Sequence, residues 1–129
     1  GRQIGGSARV LIRAVHPMPP TEPNLGFWRE SLDGLATWAH SQPDGIPLVL
    51  AGDFNASADH PGYRQVADGF VDAHEAMGSG WVRTWPYGRR WLPPFVQIDH
   101  VLGRGLTVTD AGAAPIPGTD HALVWARWR

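Results

Sequence analysis

Residues 48–55 read LVLAGDFN, an apolar run that ends in a glycine, a carboxylate and an amide. The apolar part predicts a short buried strand, and Gly52 permits a sharp exit from it. Asp53 and Asn55 follow the carboxyl end of this strand, where open α/β sheets usually build their sites. Both residues also favour ordinary turns, because their side chains bond to nearby backbone groups. The stretch alone is equally consistent with a functional site and with a simple turn after a core strand.

On the amino-terminal side, the pattern predicts a strand and a helix ahead of the central strand. The first strand covers 8–15, and apolar residues at three- and four-residue spacing predict a helix over 25–41 with Asn24 as its N-cap. A right-handed crossover that makes the two strands parallel neighbours is the default for such a unit. His16 follows the first strand directly, where a surface loop is a more common role than catalysis.

On the carboxyl-terminal side, the pattern predicts short helices and three more strands. One helix begins at Pro61, a second helical piece covers 70–77, and the strands cover 97–102, 106–111 and 122–128. The first two of these strands are expected to form a hairpin through residues 103–105. Asp72, His74 and Glu75 are expected to lie in solvent.

Residues 78–95, GSGWVRTWPYGRRWLPPF, combine aromatic side chains, arginines and prolines that argue against regular structure. One interpretation is a loop that packs its rings on the core and leaves its arginines in solvent. The other is a substrate-binding loop that stacks Trp85 on a ligand and contacts phosphate through arginine, which suits bidentate phosphate binding. The arginines concerned are Arg83, Arg89 and Arg90. The sequence favours neither interpretation.

Composition narrows the class of protein. The chain has 129 residues, 43% of them hydrophobic and 18% charged, which is typical of one small globular domain. Its net charge of -1 does not indicate nonspecific nucleic-acid binding, which needs many cations to neutralise phosphates. The absence of cysteine excludes disulfides and thiolate metal sites. No apolar run of membrane-spanning length is visible, and the compartment stays open.

Polar residues stand at the ends of several predicted strands: Asp53, Asn55, Asp99, Asp120, His121 and His16. An aspartate that orients a histidine forms a pair that acts as a general base or stabilises a phosphate. Two further oxygen ligands suit Mg²⁺, which binds carboxylates, water and substrate phosphate. Together these groups describe metal-assisted hydrolysis of a phosphate ester.

The motifs GDFN (52–55), IDHVL (98–102) and TDHALV (119–124), preceded by AVHP (14–17), resemble those of the endonuclease/exonuclease/phosphatase superfamily. This superfamily includes DNase I-like nucleases, inositol-phosphate phosphatases and sphingomyelinases. The resemblance runs from about residue 8 to residue 128, and its specificity lies in the order and spacing of the motifs. It implies an α/β fold, the four-layer α/β/β/α sandwich of DNase I-like proteins.

The resemblance also implies a role for each residue of the catalytic set. His121 would act on the scissile phosphate, and Asp99 would buttress its imidazole. Asp53 and Asn55 would position the attacking water and the phosphate. His16 would stand where family members place a phosphate-contacting side chain.

For the cofactor, the resemblance implies Mg²⁺, with Mn²⁺ as the alternative, and places Asp120 beside the metal. Family members carry an Asn and a metal-binding Glu in a first half that this chain does not match. Residues 1–129 are therefore expected to form one partial domain, the C-terminal half of the sandwich, and to be inactive alone. The missing half, or a second copy of the chain, is expected to cover the exposed sheet face.

Three functions compete. The first is a metal-dependent phosphoesterase that hydrolyses a phosphodiester, a phosphomonoester or a pyrophosphate with activated water. The second is a catalytically inactive binding or assembly module that retains the half-fold. The third is another His-Asp hydrolase, which no serine in a nucleophile-elbow context supports. The substrate class stays open among nucleic acid, sugar phosphate and lipid pyrophosphate, and charge does not favour nucleic acid. The arrangement of TWP (84–86), PP (93–94) and IDHVL (98–102) also resembles a bacterial branch whose members often carry membrane segments. Membrane association or an extracellular location of the full-length protein is therefore one expectation.

Overall fold

The computed structural model describes residues 9–78, 82–88, 94 and 96–129. The elements follow in the order β1 (Leu11–Val15), α1 (Leu25–Ser41), β2 (Leu48–Asp53), α2 (Pro61–Ala67), β3 (Val71–Asp72), α3 (Ala73–Ala76), β4 (Asp99–Arg104), β5 (Val108–Pro115) and β6 (Ala122–Trp128). The bounds of α1 and β6 and the start of α2 agree with the predicted ones. Among the described residues, no helix has the length and apolar content of a membrane span.

Four strands form the main sheet in the order β1-β2-β4-β3. β1 and β2 are parallel, with Val15 opposite Gly52, as the crossover through α1 predicts. β4 runs antiparallel to β2 and places Asp99 opposite Asp53. The carboxyl end of β2 and the amino end of β4 therefore meet at one end of the sheet, where their polar residues come together.

Helix α1 covers one face of this sheet. Its buried stripe is the one that the spacing predicts: Trp28, Leu32, Leu35, Ala36 and Ala39. The stripe packs against Leu48 and Leu50 of β2, which are fully buried. Full burial of a leucine side chain stabilises the fold by about 1.5–3 kcal/mol. This cluster is larger than the apolar core that the described residues form on the other face of the sheet, and it holds β2 in position.

The opposite face of the main sheet carries a second, two-stranded sheet in which β5 pairs with β6. The predicted hairpin between 97–102 and 106–111 is wrong, because β4 pairs with β2 and β3 instead. The chain therefore contributes strands to two sheets, and the second sheet covers part of the face that α1 leaves open. Gly103 of β4 lies under the ring of Trp128, where a Cβ atom would come within 2.6 Å of the indole. A side chain at this position would separate the two sheets.

The segment 70–77 differs from its predicted helix. Val71–Asp72 forms a short strand beside β4, and α3 follows it. Asp72 caps α3 by accepting hydrogen bonds from the amides of His74 and Glu75, and it also accepts one from the hydroxyl of Tyr63. His74 is 1% exposed, and its Nε2 lies 2.9 Å from the carbonyl oxygen of Gly112. The expectation that Asp72 and His74 lie in solvent is wrong, because His74 packs against β5 and the Asp72 carboxylate lies between Tyr63 and His100.

Candidate active site

The site lies where β2 ends, β4 begins and the chain enters β6. Asp53 is the last residue of β2, Asp99 is the first residue of β4, and His121 immediately precedes β6. Antiparallel pairing brings Asp53 opposite Asp99. A pocket open to solvent is lined by these three side chains together with Val15 and His16. Residues from separate parts of the sequence therefore converge on one pocket.

His121 is held by Asp99. Its Nδ1 lies 2.8 Å from Oδ2 of Asp99, so that the ring N–H donates to the carboxylate. The other ring nitrogen, Nε2, lies 3.6 Å from Oδ2 of Asp53 and 3.8 Å from Oδ1 of Asp120. Asp99 is buried, whereas the His121 side chain is 27% exposed. The buried carboxylate of Asp99 therefore fixes the orientation of the His121 ring, and Nε2 of His121 faces the pocket.

Nearby charges and burial both shift the pKa values of His121 and Asp53. Partial burial disfavours the imidazolium form of His121, but the hydrogen bond and charge of Asp99, with the charges of Asp53 and Asp120, outweigh it and raise the pKa of His121. For Asp53, burial is the largest effect and raises the pKa, although the amide of Asn55 opposes it. The negative charge of Asp99 raises the pKa of Asp53 further, while the two histidines lower it. The carboxylates around His121 therefore favour its imidazolium form more than water favours that of a free histidine.

The turn after β2 is built by Gly52, Asp53 and Asn55. Gly52 has φ +144°, and a Cβ atom there would lie 2.2 Å from the carbonyl oxygen of Val15, so only glycine fits. Oδ1 of Asp53 accepts a hydrogen bond from the amide of Asn55 at 2.7 Å. Asn55 has φ 49°, and its side-chain amide donates to the carbonyl oxygen of Pro17. The ordinary turn and the functional arrangement coexist, because Oδ2 of Asp53 remains directed at the histidines.

His16 lies at the rim of the pocket. Its Nε2 is 3.7 Å from Oδ2 of Asp53, and its side chain is 78% exposed. The bond between Asn55 and Pro17 ties the loop that carries His16 to the turn after β2. His16 is therefore near enough to contact a group bound at Asp53, in a position that solvent can reach.

The described part of the 78–95 loop lies against the site. The indole Nε1 of Trp85 donates to Oδ2 of Asp120 at 3.1 Å. Thr84 is fully buried, and its Oγ1 accepts hydrogen bonds from the amides of Ile98 and Asp99. The sequence does not indicate these partners of Thr84, since they lie more than ten residues away. Arg83 is exposed, and the other two predicted phosphate-binding residues, Arg89 and Arg90, lie outside the described residues.

A second histidine that sequence reasoning did not single out stands next to Asp99. His100 is fully buried, its Nε2 lies 2.8 Å from the carbonyl oxygen of Ala56, and its Nδ1 lies 3.4 Å from Oδ2 of Asp72. This ring ties the turn after β2 to the start of β4. The alternation of β4 identifies His100 as facing the opposite side from Asp99, but not which partners it meets there.

In the described ranges, Asp53, Asp99 and His121 form a group that could hold a metal ion, with one ligand atom each and all three atoms within 4.8 Å of one another. Asp120 adds a carboxylate oxygen near His121. Carboxylate and imidazole donors suit a divalent cation. Because Asp99 is engaged by His121, the described donors do not complete the six oxygen ligands that Mg²⁺ prefers. The residues therefore fit part of a divalent-metal site.

Solved structures with a similar fold share little sequence with this chain. A protein of Enterococcus faecalis, described as functionally unknown and conserved, has a TM-score of 0.71 at 20% identity, over 93% of this chain and 50% of its own. A mannosyl-6-phosphatase of Bacteroides thetaiotaomicron has a TM-score of 0.63 at 16% identity, over 93% and 51%. An AP endonuclease of Archaeoglobus fulgidus has a TM-score of 0.68 at 14% identity, over 91% and 60%.

These structures show that the chain has the mixed α/β fold of DNase I-like proteins, and that it spans about half of their length. No curated protein sequence matches the chain. A profile of the Endonuclease/Exonuclease/phosphatase family matches residues 4–121, which include the turn after β2, the start of β4 and His121. The chain therefore belongs to the endonuclease/exonuclease/phosphatase family.

Proposed function

We propose that the full-length protein is a divalent-metal-dependent phosphoesterase, and that this chain carries the histidine that acts on the phosphate. The observation that carries the proposal is the pair of His121 and Asp99, 2.8 Å apart, with the free Nε2 facing Asp53 in an open pocket. Membership in the family supports a phosphoester hydrolase in general. The choice of metal and of substrate goes beyond that support.

In the proposed mechanism, each residue has a separate task. Asp99 fixes the imidazole of His121, so that Nε2–H donates to an oxygen of the scissile phosphate and stabilises its developing charge. Asp53, whose Oδ2 faces the same space, accepts a hydrogen bond from the water that attacks phosphorus. Asn55 holds the turn that presents Asp53, and His16 contacts the phosphate from the rim.

We propose Mg²⁺, or Mn²⁺, as the cofactor, bound in part by Asp120 and Asp53. When bound, such an ion neutralises charge on the phosphate and activates water. The described residues leave its ligand shell incomplete, so the remaining ligands come from water, from substrate and from protein outside this chain segment.

A further segment of protein is proposed to complete the fold. The sheet of β5 and β6 has only two strands among the described residues, and two-stranded sheets are marginal alone. Apolar side chains also remain at the surface, with Ile12 69% exposed and Leu123 48% exposed. The matched structures contain about as much chain again. A second half of the domain, or a second copy of this chain, would cover these side chains.

The test is a hydrolysis screen of the full-length protein with and without Mg²⁺ on a nucleic acid, a sugar phosphate and a lipid pyrophosphate. We expect hydrolysis of at least one class, with a loss of roughly 10²–10⁴ in kcat for His121→Ala. His40→Ala, in which the substituted histidine lies exposed on α1, is the matched control and should keep wild-type activity. Complete inactivity of the wild type on all three classes would favour the binding or assembly module instead.

A further inference from the structure

The segment 84–87, of sequence TWPY, is anchored firmly against the active site. Thr84 and Pro86 are buried. The backbone of Trp85 pairs with Val96 through two hydrogen bonds, of 3.1 and 3.3 Å. Burial and pairing together leave this segment little freedom, although it belongs to neither sheet.

Two groups of this segment hold the same residue. The indole Nε1 of Trp85 donates to Oδ2 of Asp120 at 3.1 Å, and the backbone amide of Tyr87 donates to the carbonyl oxygen of Asp120 at 2.6 Å. The Asp120 side chain is 45% exposed, so without the indole its carboxylate could rotate in solvent. With Oδ2 engaged, Oδ1 is directed towards Nε2 of His121, 3.8 Å away.

The same segment also connects the two strand ends that carry the catalytic pair, namely the start of β4 and the entry to β6. Oγ1 of Thr84 accepts hydrogen bonds from the amides of Ile98 and Asp99, at 3.1 and 3.3 Å. The carbonyl oxygen of Thr84 accepts one from the amide of Ala122, next to His121, at 2.8 Å. The start of β4 and the entry to β6 are thus joined through one residue, and Asp120 is set relative to both.

We propose that Trp85 is a positioning residue that acts through Asp120: its indole N–H orients the Asp120 carboxylate beside His121. This inference rests on the proposed phosphoesterase function for its catalytic consequence. It differs from a role of Trp85 in stacking on substrate, because stacking uses the face of the ring whereas positioning uses only the N–H. Trp85→Phe separates the two roles, since it keeps an aromatic face and removes the donor.

The kinetic test compares Trp85→Phe, Asp120→Ala and the double variant of the full-length protein. We expect Trp85→Phe to lower kcat about tenfold with little change in KM, the scale of one lost hydrogen bond. Because Trp85 acts through Asp120, the double variant should be no slower than Asp120→Ala alone. Trp28→Phe is the matched control: the Trp28 indole N–H is buried, has no hydrogen-bond partner in the described part of the chain, and lies outside the site. It should leave kcat unchanged.

A second measurement does not need activity. In ¹H–¹⁵N spectra of the full-length protein, Asp120→Ala should move the indole resonance of Trp85 and speed its exchange with solvent. Asp110→Ala on β5 is the matched control and should leave this resonance unchanged. An unmoved resonance in Asp120→Ala would overturn the contact. Wild-type kcat in Trp85→Phe, or a double variant slowed by the product of the two single effects, would overturn the positioning role.

The two proposals fail in different ways. If the wild type hydrolyses no phosphate ester but the indole resonance responds to Asp120→Ala, the phosphoesterase function fails and the contact stands. If the wild type is active but Trp85→Phe matches it, the positioning role fails and the phosphoesterase function stands.

Discussion

At the scale of single residues, the geometry of His121 and Asp99 depends on one hydrogen bond and the charges around it. Oδ2 of Asp99 accepts a hydrogen bond from Nδ1–H of His121 at 2.8 Å. Its hydrogen bond and charge are the chief reasons that the pKa of His121 lies above its ordinary value despite burial. A substitution of Asp99 should therefore change the pKa of His121.

Asp99→Asn should lower the pKa of His121, since the substitution removes a negative charge and weakens the acceptor. The imidazolium form would then be lost at a lower pH, and the alkaline limb of kcat should move in the same direction. The NMR titration of the His121 ring protons measures the first effect, and a kcat profile against pH measures the second. An unchanged midpoint in Asp99→Asn would contradict the assignment of the pair.

The next prediction concerns two arginines that follow Trp85 in the sequence. Arg89 and Arg90, outside the described residues, are predicted to contact substrate phosphate and not to take part in the chemistry. Replacing both with alanine should raise KM or change substrate preference and leave kcat on a generic phosphodiester nearly unchanged. Arg9→Ala, at an exposed position before β1, is a charge-matched control for one of them. An equal fall in kcat on every substrate would count against this role.

At the scale of elements, α2, β3 and β4 are joined by a buried polar network. The hydroxyl of Tyr63 donates to Oδ2 of Asp72 at 2.7 Å, and Nδ1 of His100 lies 3.4 Å from the same oxygen. Burial works against the charge of Asp72, but these partners and the amide of Glu75 outweigh it and lower its pKa to about 2. The network links the helix after the GDFN turn to the strand that begins with Asp99.

This network predicts a pH dependence of stability. Because the pKa of Asp72 is lower when folded, its contribution to stability is complete above the unfolded value of 3.8 and is lost as the pH falls towards 2. The free energy of unfolding should fall by about 2 kcal/mol over this pH range in the wild type. In Asp72→Asn this fall should be absent. Urea unfolding of the full-length protein across this range measures it. Asp44→Asn, in an exposed turn, is the control. Parallel profiles for wild type and Asp72→Asn would refute the prediction.

At the scale of the whole molecule, the second sheet modifies the expectation for the isolated chain without removing it. β5 and β6 cover part of the face that α1 leaves open, through Val124, Ala126 and Trp128. The outer surface still carries apolar side chains: Val10, Ile12, Ile116 and Leu123 are each more than 40% exposed. We propose that the second half of the domain covers these side chains.

Residues 1–129 expressed alone should therefore associate, and should show no Mg²⁺-dependent hydrolysis, because the described metal ligands are incomplete. Light scattering and the hydrolysis screen measure the two outcomes. Addition of the complementary half of the domain should restore a defined species, whereas an unrelated protein of similar size should not. An active, monodisperse monomer would show that this chain needs no second half.

The sequence determined the elements whose signals are local. The stripe of α1, the proline that opens α2 and the apolar run of β6 each act within a few residues, and those predictions are confirmed. The resemblance of the polar motifs to those of the family placed Asp53, Asp99 and His121 in one site before the fold was known. Only the tertiary structure decided that β5 pairs with β6, that His74 is buried under β5, and that Trp85 contacts Asp120. These choices join residues far apart in the chain, and the free energy that selects among such pairings comes from packing that local patterns do not encode.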